Sequence, residues 1–232
     1  MCVLRPEERP GEEETVTIRE YVEEMPFWKD LSARERETVL AHAQVHRYAA
    51  GAFIHSRDQT CLGIIRVLSG TVRTVMVSDE GREITLYLVR AGEIGVLSAS
   101  CVLSQITFET MLIAHTDCEL LILPAVCMAG IKENNIAVRC WMLERIASRF
   151  SDVMHVMEKL LFTRVDERIG DWLAGQAEET GSRTISATHE EIAVAINSSR
   201  EVVSRALKEM ERGGLVALGR GHVKLTGLKA RA

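Results

Sequence analysis

A stripe of apolar residues between Asn134 and Leu161 restricts the folds open to this 232-residue chain. This stripe alternates in spacing between four and three residues and consists of Ile136, Cys140, Leu143, Ala147, Phe150, Met154, Met157 and Leu161. The spacing is typical of two α-helices paired along their length. A second apolar stripe on the same helix suits packing against the chain's own body: Met142, Ile146, Val153, Val156 and Leu160. The pattern predicts a dimerisation helix over residues 134–161 and a homodimer. The alternative is an ordinary helix buried within one chain.

Residues 48–123 show a different pattern, in which short runs rich in Val and Ile are separated by turn signals. The clearest runs are Gly63–Leu68, Thr71–Val77, Ile84–Val89 and Leu120–Leu123. Many short strands at near-regular spacing predict an antiparallel, jelly-roll-like β-roll. Residues 21–47 carry two short amphipathic helical patterns, the second beginning at Ser32. The acidic residues 1–20 are predicted to be a flexible N-terminus.

The C-terminal part of the chain carries the pattern of a winged helix-turn-helix. Thr188 and Glu191 have the spacing of a capping box, which predicts a helix over His189–Ile196. A second helix is predicted over about Ser199–Arg212, after a turn that contains Ser198. Two short apolar runs around a Gly-Arg-Gly-His turn then predict a two-stranded wing, Leu215–Leu218 and Val223–Leu225.

The second of these helices separates into two faces. Its predicted core side consists of Val202, Val203, Ala206, Leu207 and Met210, and Ser198 with Glu201 is predicted to cap it. Its exposed side carries the predicted base-reading residues Arg200, Glu201, Ser204 and Arg205. Arginine can donate two hydrogen bonds to guanine, and glutamate can accept one from cytosine. A solvated charged face is the alternative. The predicted phosphate contacts are Thr188, Ser198, Ser199, Lys208, Arg220 and His222.

The charge of the chain is unevenly distributed. Residues 188–232 hold eight Lys and Arg against five acids, a net charge of +3, which leaves −8 for the rest of a chain whose total is −5. A basic end on an acidic body is typical of a domain that meets DNA phosphates.

The sequence predicts a cytoplasmic protein without membrane contact. No apolar run approaches the 18 residues of a membrane span, and the start of the chain is acidic. The six cysteines are scattered without a CxxC or Cys-His spacing, so reduced thiols are expected and no metal site is predicted.

With these patterns in place, the sequence resembles the Crp/Fnr family of bacterial transcription regulators over residues 21–226. The most specific stretches are Gly70–Val72, Asp79–Leu88, Phe162–Leu173 and Ser199–Leu215. The resemblance implies a β-roll effector domain over 21–133, a dimerisation helix over 134–161 and a winged helix-turn-helix over 162–232. It implies a non-enzymatic regulator that binds palindromic double-stranded DNA as a homodimer, and we expect RNA polymerase as a further partner.

The resemblance also assigns roles within the recognition helix. Glu201 and Arg205 match the family's Glu and Arg that read a G·C-containing half-site. Arg200 matches the arm typified by the catabolite activator protein, whereas Ser204 matches the oxygen-sensing arm.

The sequence departs from the family at the sites of its known signals. Val96 stands where cyclic-nucleotide binders hold the ribose with Glu, and Lys132 is the sole Lys or Arg from Ala91 to Val138. A buried phosphate without a cationic partner is unfavourable, so cyclic AMP and cyclic GMP are not expected as effectors. Only Cys2 lies near the start of the chain, so the iron–sulfur cluster of the oxygen sensors is not expected either.

The signal therefore stays open, and so does any cofactor. The candidate residues of the effector pocket are Val96, Ser98, Ser100, Cys101, Thr107 and Phe108. Cys101 is a candidate redox thiol or haem ligand, and the alternative is a small buried apolar residue.

Two other functions are disfavoured. A cupin enzyme needs a close His-x-His pair, which the predicted roll lacks, and a regulatory module of a partner enzyme would lack the helix-turn-helix.

Overall fold

The computed structural model of the protein describes residues 12–55, 62–78, 81, 83–96 and 110–227. They form two compact units, one within residues 1–75 and 87–150 and the other within residues 76–86 and 151–232. The fold is α+β, with antiparallel strand pairing, as the sequence predicts.

The first unit begins with two helices and a short 3-10 helix: α1 Glu12–Glu23, the 3-10 helix Trp28–Asp30 and α2 Ala33–His42. Ser32 caps α2 as predicted, because its hydroxyl accepts from the Glu35 amide and its own amide donates to the Glu35 carboxylate at 2.7 Å. α1 corrects the expectation of a flexible N-terminus through residue 20. Ile18 and Val22 lie one helical turn apart and both are buried, so this apolar face orders an otherwise acidic segment.

Within the described residues the β-roll has eight strands: β1 Gln44–Tyr48, β2 Phe53–His55, β3 Ile64–Ser69, β4 Thr71–Val77, β5 Glu83–Arg90, β6 Ile94–Val96, β7 Met111–Ala114 and β8 Cys118–Leu123. They form two sheets, in the orders β1-β8-β3-β6 and β2-β7-β4-β5. Buried side chains of both sheets share one apolar cluster, which includes Ile65, Val67 and Leu120 with Val72, Leu112 and Ala114. The strand runs predicted from the sequence lie in β3, β4, β5 and β8, except that Gly63 precedes β3.

The turn from β3 to β4 requires its glycine. Gly70 has φ of +77°, and a Cβ at this position would lie 2.1 Å from the carbonyl oxygen of Asp117. Because no side chain fits there, a glycine at position 70 is a steric requirement of this turn.

Two helices follow the roll. Pro124 follows β8 and precedes α3, Ala125–Asn134, a helix that the sequence pattern does not predict. α4 spans Ile136–Phe162, close to the predicted helix over 134–161. Cys127, Met128 and Ile131 of α3 and Val138 and Met142 of α4 are buried in the core that also contains Val22.

Besides residues 76–86 and the last part of α4, the described residues of the second unit form three helices and a small sheet: α5 Val165–Thr180, β9 Thr184–Ser186, α6 His189–Ala195, α7 Arg200–Arg212, β10 Val216–Gly219 and β11 His222–Leu225. The sheet is antiparallel, in the order β10-β11-β9. Its core includes Leu173, Ile192, Leu207 and Val223. The predicted wing is confirmed as β10 and β11. Residues 176–186 are mostly polar in sequence, but they hold the end of α5 and all of β9, where Ile185 is buried.

Candidate nucleic-acid interface

The predicted capping box holds the start of α6. The Thr188 amide and hydroxyl both donate to Glu191 Oε2, at 2.6 and 2.8 Å, and the Glu191 amide donates to the Thr188 hydroxyl at 3.2 Å. The hydrogen bonds from the Thr188 backbone and side chain lower the pKa of Glu191. The carboxylate is therefore ionised at neutral pH and caps the N-terminus of α6.

The turn between α6 and α7 is short and is held by backbone and side-chain hydrogen bonds. The Ser198 amide donates to the Ala193 carbonyl at 2.9 Å, and Asn197 adopts a φ of 54° in the left-handed region. Arg168 of α5 donates from Nη1 to the Ile196 carbonyl at 3.0 Å. The sequence does not predict this role of Arg168, because a lone arginine on a helix carries no sign of the carbonyl that it will meet.

α7 begins one residue later than predicted. Its cap is Ser199, whose hydroxyl accepts from the Val202 amide at 3.3 Å. The predicted capping box of Ser198 with Glu201 is therefore wrong by one residue, since Ser198 is still part of the turn. The Glu201 backbone amide and then the Ser199 hydroxyl lower the pKa of Glu201. Its carboxylate is thus an ionised acceptor at neutral pH.

The two faces of α7 differ in burial as the sequence predicts. Val203, Leu207 and Met210 are buried, and Ala206 packs against the same core. Val202, which was also predicted on the core side, is only half-buried and is not part of this core. Arg200, Glu201 and Arg205 are exposed, and Ser204 is half-buried. The structure thus places the four predicted base-reading residues away from the core, on the first two turns of one amphipathic helix.

The wing follows directly on α7. β10 and β11 pair from Val216 opposite Leu225 to Gly219 opposite His222, so Arg220 and Gly221 form the tip. Glu211 of α7 fixes the wing through a 2.8 Å hydrogen bond from the Leu218 amide. Of the predicted phosphate contacts, Ser198 is half-buried and the other five are exposed: Thr188, Ser199, Lys208, Arg220 and His222.

The heptad stripe of α4 is exposed along its whole length. All eight of its residues are exposed in the single chain, with 69% of Ile136, 64% of Phe150 and 69% of Leu161 accessible to solvent. The second stripe is covered: Met142 is buried, and Ile146, Val153, Val156 and Leu160 are half-buried. The helix therefore has one face that its own chain covers and one apolar face that it leaves open.

The candidate effector pocket is described only in part. Val96 is buried at the end of β6 and lines a small pocket with Met128, Lys132 and Met142. The sole Lys or Arg between Ala91 and Val138 thus lies at the same pocket as Val96. The other candidates lie outside the described residues: Ser98, Ser100, Cys101, Thr107 and Phe108.

Three cysteines of the described residues are free thiols. Cys118 and Cys127 are buried and Cys140 is exposed. Burial raises the pKa of the Cys118 and Cys127 thiols, so both are protonated at neutral pH.

In the described part of the chain, no three His, Cys, Asp or Glu side chains are grouped to hold a metal ion. No helix among the same residues has the length and apolarity of a membrane span.

Comparison with known proteins agrees with this architecture. The cyclic nucleotide-binding domain family matches residues 45–135, and the Crp-like helix-turn-helix domain family matches residues 167–230. The transcriptional regulator SdrP of Thermus thermophilus is 30% identical over an alignment of 172 residues, and the match covers 71% of this chain and 79% of SdrP. The cAMP-activated global transcriptional regulator Vfr of Pseudomonas aeruginosa is 24% identical over 81% of this chain and 89% of its own.

A solved structure supports the same assignment. A crystal structure from Eubacterium rectale described as Crp/Fnr family is 35% identical, with a TM-score of 0.80, and the match covers 89% of this chain and 95% of that one. The roll and the winged helix-turn-helix define a DNA-binding transcription regulator. The chain belongs to the Crp/Fnr family.

Proposed function

We propose that this regulator binds a palindromic DNA site as a homodimer and answers to a signal at the β-roll other than cyclic AMP. The observation that carries the proposal is the open heptad stripe of α4, in the same chain as an exposed base-reading face on α7. A monomer rarely exposes so continuous an apolar strip, and a second copy of α4 would cover it.

The dimer determines the form of the DNA site. A two-fold dimer presents one α7 per chain, so it requires two half-sites in inverted orientation about one helical turn apart. Arg205 is assigned to guanine and Glu201 to cytosine of one G·C pair. The family resemblance favours a TGTGA-like or a TTGAT-like half-site, because Arg200 matches one arm of the family and Ser204 the other. RNA polymerase remains the further partner that we propose.

Selection of binding sites from random duplexes tests this proposal. The purified full chain should enrich palindromes with a G·C pair at the same position of each half-site. Retention of a selected duplex should fall steeply as salt increases, because phosphate contacts release counterions. Enrichment of non-palindromic sequences, or of none, would overturn the proposal.

The proposed signal is not a cyclic nucleotide. Vfr is cAMP-activated by name, but this chain has the apolar Val96 at the position of the ribose glutamate. Lys132 supplies one cation at this pocket, but it lacks the paired donors with which an arginine holds a phosphate. Calorimetry with cyclic AMP and cyclic GMP should show no binding under conditions in which Vfr responds to cyclic AMP. Micromolar binding of either nucleotide would show that the pocket is wrongly assigned.

A further inference from the structure

The turn that leads into α7 is held by a side chain from a different helix. Arg168 of α5 donates from Nη1 to the Ile196 carbonyl at 3.0 Å, and Ile196 is the C-cap of α6. Carbonyl oxygens at the end of a helix lack amide partners within that helix and carry a partial negative charge. A guanidinium is a permanent cation with several donors in a fixed plane. It therefore supplies both the donor and the charge that this carbonyl lacks.

α5 also packs against α7, but through apolar side chains. Ile169 and Leu173 of α5 belong to the same buried core as Val203 and Leu207 of α7. Apolar contacts stabilise two packed helices without fixing one direction, because the hydrophobic effect is non-directional. A hydrogen bond depends on angle as well as on distance. The bond from Arg168 therefore adds direction to the hold that α5 has on the helix-turn-helix.

We propose that Arg168 is a positioning residue for DNA reading, which sets the direction of α7 through the Ile196 carbonyl. The inference rests on the proposed function. The N-terminal residues of a recognition helix contact the base edges, and Arg200, the first residue of α7, follows Ile196 by four positions. A hydrogen bond to a base edge weakens steeply with angle, whereas attraction to phosphates depends mainly on charge. A tilt of this turn therefore weakens base reading more than attachment to the phosphates.

The turn keeps a second anchor when the arginine is replaced. The Asn197 carboxamide accepts from the Thr85 amide at 2.7 Å and donates to the Thr85 carbonyl at 2.8 Å. The Ser198 amide still donates to the Ala193 carbonyl. With these bonds in place, a variant at Arg168 should keep the turn folded and change its direction.

The position of Arg168 along the chain also connects it with the dimer helix. Arg168 lies in the first turn of α5, six residues after α4 ends at Phe162. A movement of the end of α4 is therefore passed to the Ile196 carbonyl through a single turn of helix. Arg168 thus lies where a shift of the dimer helix changes the direction of α7.

The test separates sequence reading from attachment to DNA. Each chain is titrated by fluorescence anisotropy with a selected palindromic duplex and with a duplex of unrelated sequence, at a temperature at which circular dichroism shows it to be folded. Arg168→Met removes the donors and should bind the palindrome about tenfold to 100-fold more weakly than the unmodified chain. The matched control is Arg164→Met, which removes the same charge from the N-cap of the same helix. Both variants should bind the unrelated duplex equally, because each loses one positive charge.

Arg168→Lys is the conservative variant. Lysine keeps the charge and a donor but lacks the fixed plane of the guanidinium. It should recover part of the affinity for the palindrome, which a general loss of stability would not explain. If Arg168→Met does not fold, Arg168→Lys decides alone, because it should still discriminate between the two duplexes less well than the unmodified chain.

The carbonyl gives a reading that does not depend on DNA. Ile196-Asn197 is the only Ile-Asn step in the sequence, so isotope labels on the isoleucine carbonyl carbon and the asparagine nitrogen mark a single peptide bond. In nuclear magnetic resonance, the signal of the Ile196 carbonyl should shift in Arg168→Met, because the carbonyl loses its donor, and stay in place in Arg164→Met.

The outcomes distinguish this role from the proposed function. A shifted carbonyl signal with unchanged discrimination between the duplexes would overturn the positioning role and leave the proposed function intact. An equal loss of affinity for both duplexes in Arg168→Met would do the same. Absence of discrimination by the unmodified chain would overturn the proposed function and, with it, the role of Arg168.

Discussion

At the scale of single residues, the base-reading role of Arg205 gives the sharpest prediction. Arg205 is exposed on α7 beside the ionised Glu201. Loss of a bidentate contact to a base costs about 1–3 kcal/mol, so Arg205→Ala should weaken binding to the preferred site by roughly tenfold to 100-fold. The same change should relax discrimination at one base pair of each half-site. Anisotropy titrations against the preferred duplex and its single-pair variants measure both effects.

The wing supplies the matched control for that experiment. Arg220 is exposed at the tip between β10 and β11 and is expected to meet phosphate. Arg220→Ala should weaken all duplexes alike and reduce the slope of log affinity against log salt by about one unit. If Arg205→Ala lowers the affinity equally for every sequence, Arg205 is a phosphate contact and the reading face is misassigned.

The amphipathic pattern of α7 predicted which residues are exposed, because burial in a helix follows a period of 3.6 residues. It did not predict the partners of Arg168 and Asn197. Both meet backbone groups that are remote in sequence, Ile196 across 28 residues and Thr85 across 112. A single sequence records the capacity of a side chain to bond, but not which carbonyl the fold will bring to it.

At the scale of the elements, the capping box of α6 should contribute measurably to stability. Thr188→Ala removes the acceptor for the Glu191 amide and one donor to its carboxylate. Substitutions of this kind cost about 0.5–2 kcal/mol, and urea unfolding monitored by circular dichroism measures the loss. Ser186→Ala, an exposed hydroxyl on β9, serves as the control and should change stability by less than about 0.5 kcal/mol. An equal loss in both variants would contradict a specific capping role.

The same box makes a prediction about pH. The folded pKa of Glu191 is lowered, so its contribution to stability is present above the unfolded pKa and is lost as pH falls through the folded pKa. Glu191→Gln should therefore be less stable than the unmodified chain at pH 7, and the difference should shrink as the pH is lowered below the ordinary pKa of a glutamate. A difference that grows at acid pH would contradict the assigned hydrogen bonds.

The elements that the sequence revealed are those with local signals. α2 and α6 carry capping boxes, α4 carries a heptad pattern, and the wing surrounds a glycine turn. α3 and β9 lack such signals. α3 is a short apolar helix that contains Gly130 and is stabilised by packing in the core, and β9 has three residues with one buried side chain paired to β11. Their existence depends on tertiary neighbours, which local patterns do not contain.

At the scale of the whole molecule, the open stripe of α4 predicts that dimerisation and DNA binding fail together. Phe150 and Met154 are 64% and 45% exposed on the stripe. Phe150→Asp with Met154→Lys should give monomers by light scattering, because each of the two paired helices would bury two charges. The control introduces the same two side chains off the stripe, as Arg145→Asp with His155→Lys, and should remain dimeric. A Phe150→Asp, Met154→Lys variant that stays dimeric would show that another surface joins the two chains.

The same dimer should be sensitive to the helical phase of its DNA. If α4 joins the chains, the two copies of α7 are held at one separation and in one relative orientation, matched to half-sites about 10 base pairs apart. An insertion of about five base pairs between the half-sites turns one of them to the opposite side of the duplex. Binding should then fall to the level of a single half-site.

An insertion of about ten base pairs restores the phase but adds about 34 Å of separation, so it should not restore the affinity. The same insertions placed outside the palindrome should have no effect. Equal affinity for all spacings would mean that the chains bind DNA independently, and a palindromic site would then need an explanation other than the α4 dimer.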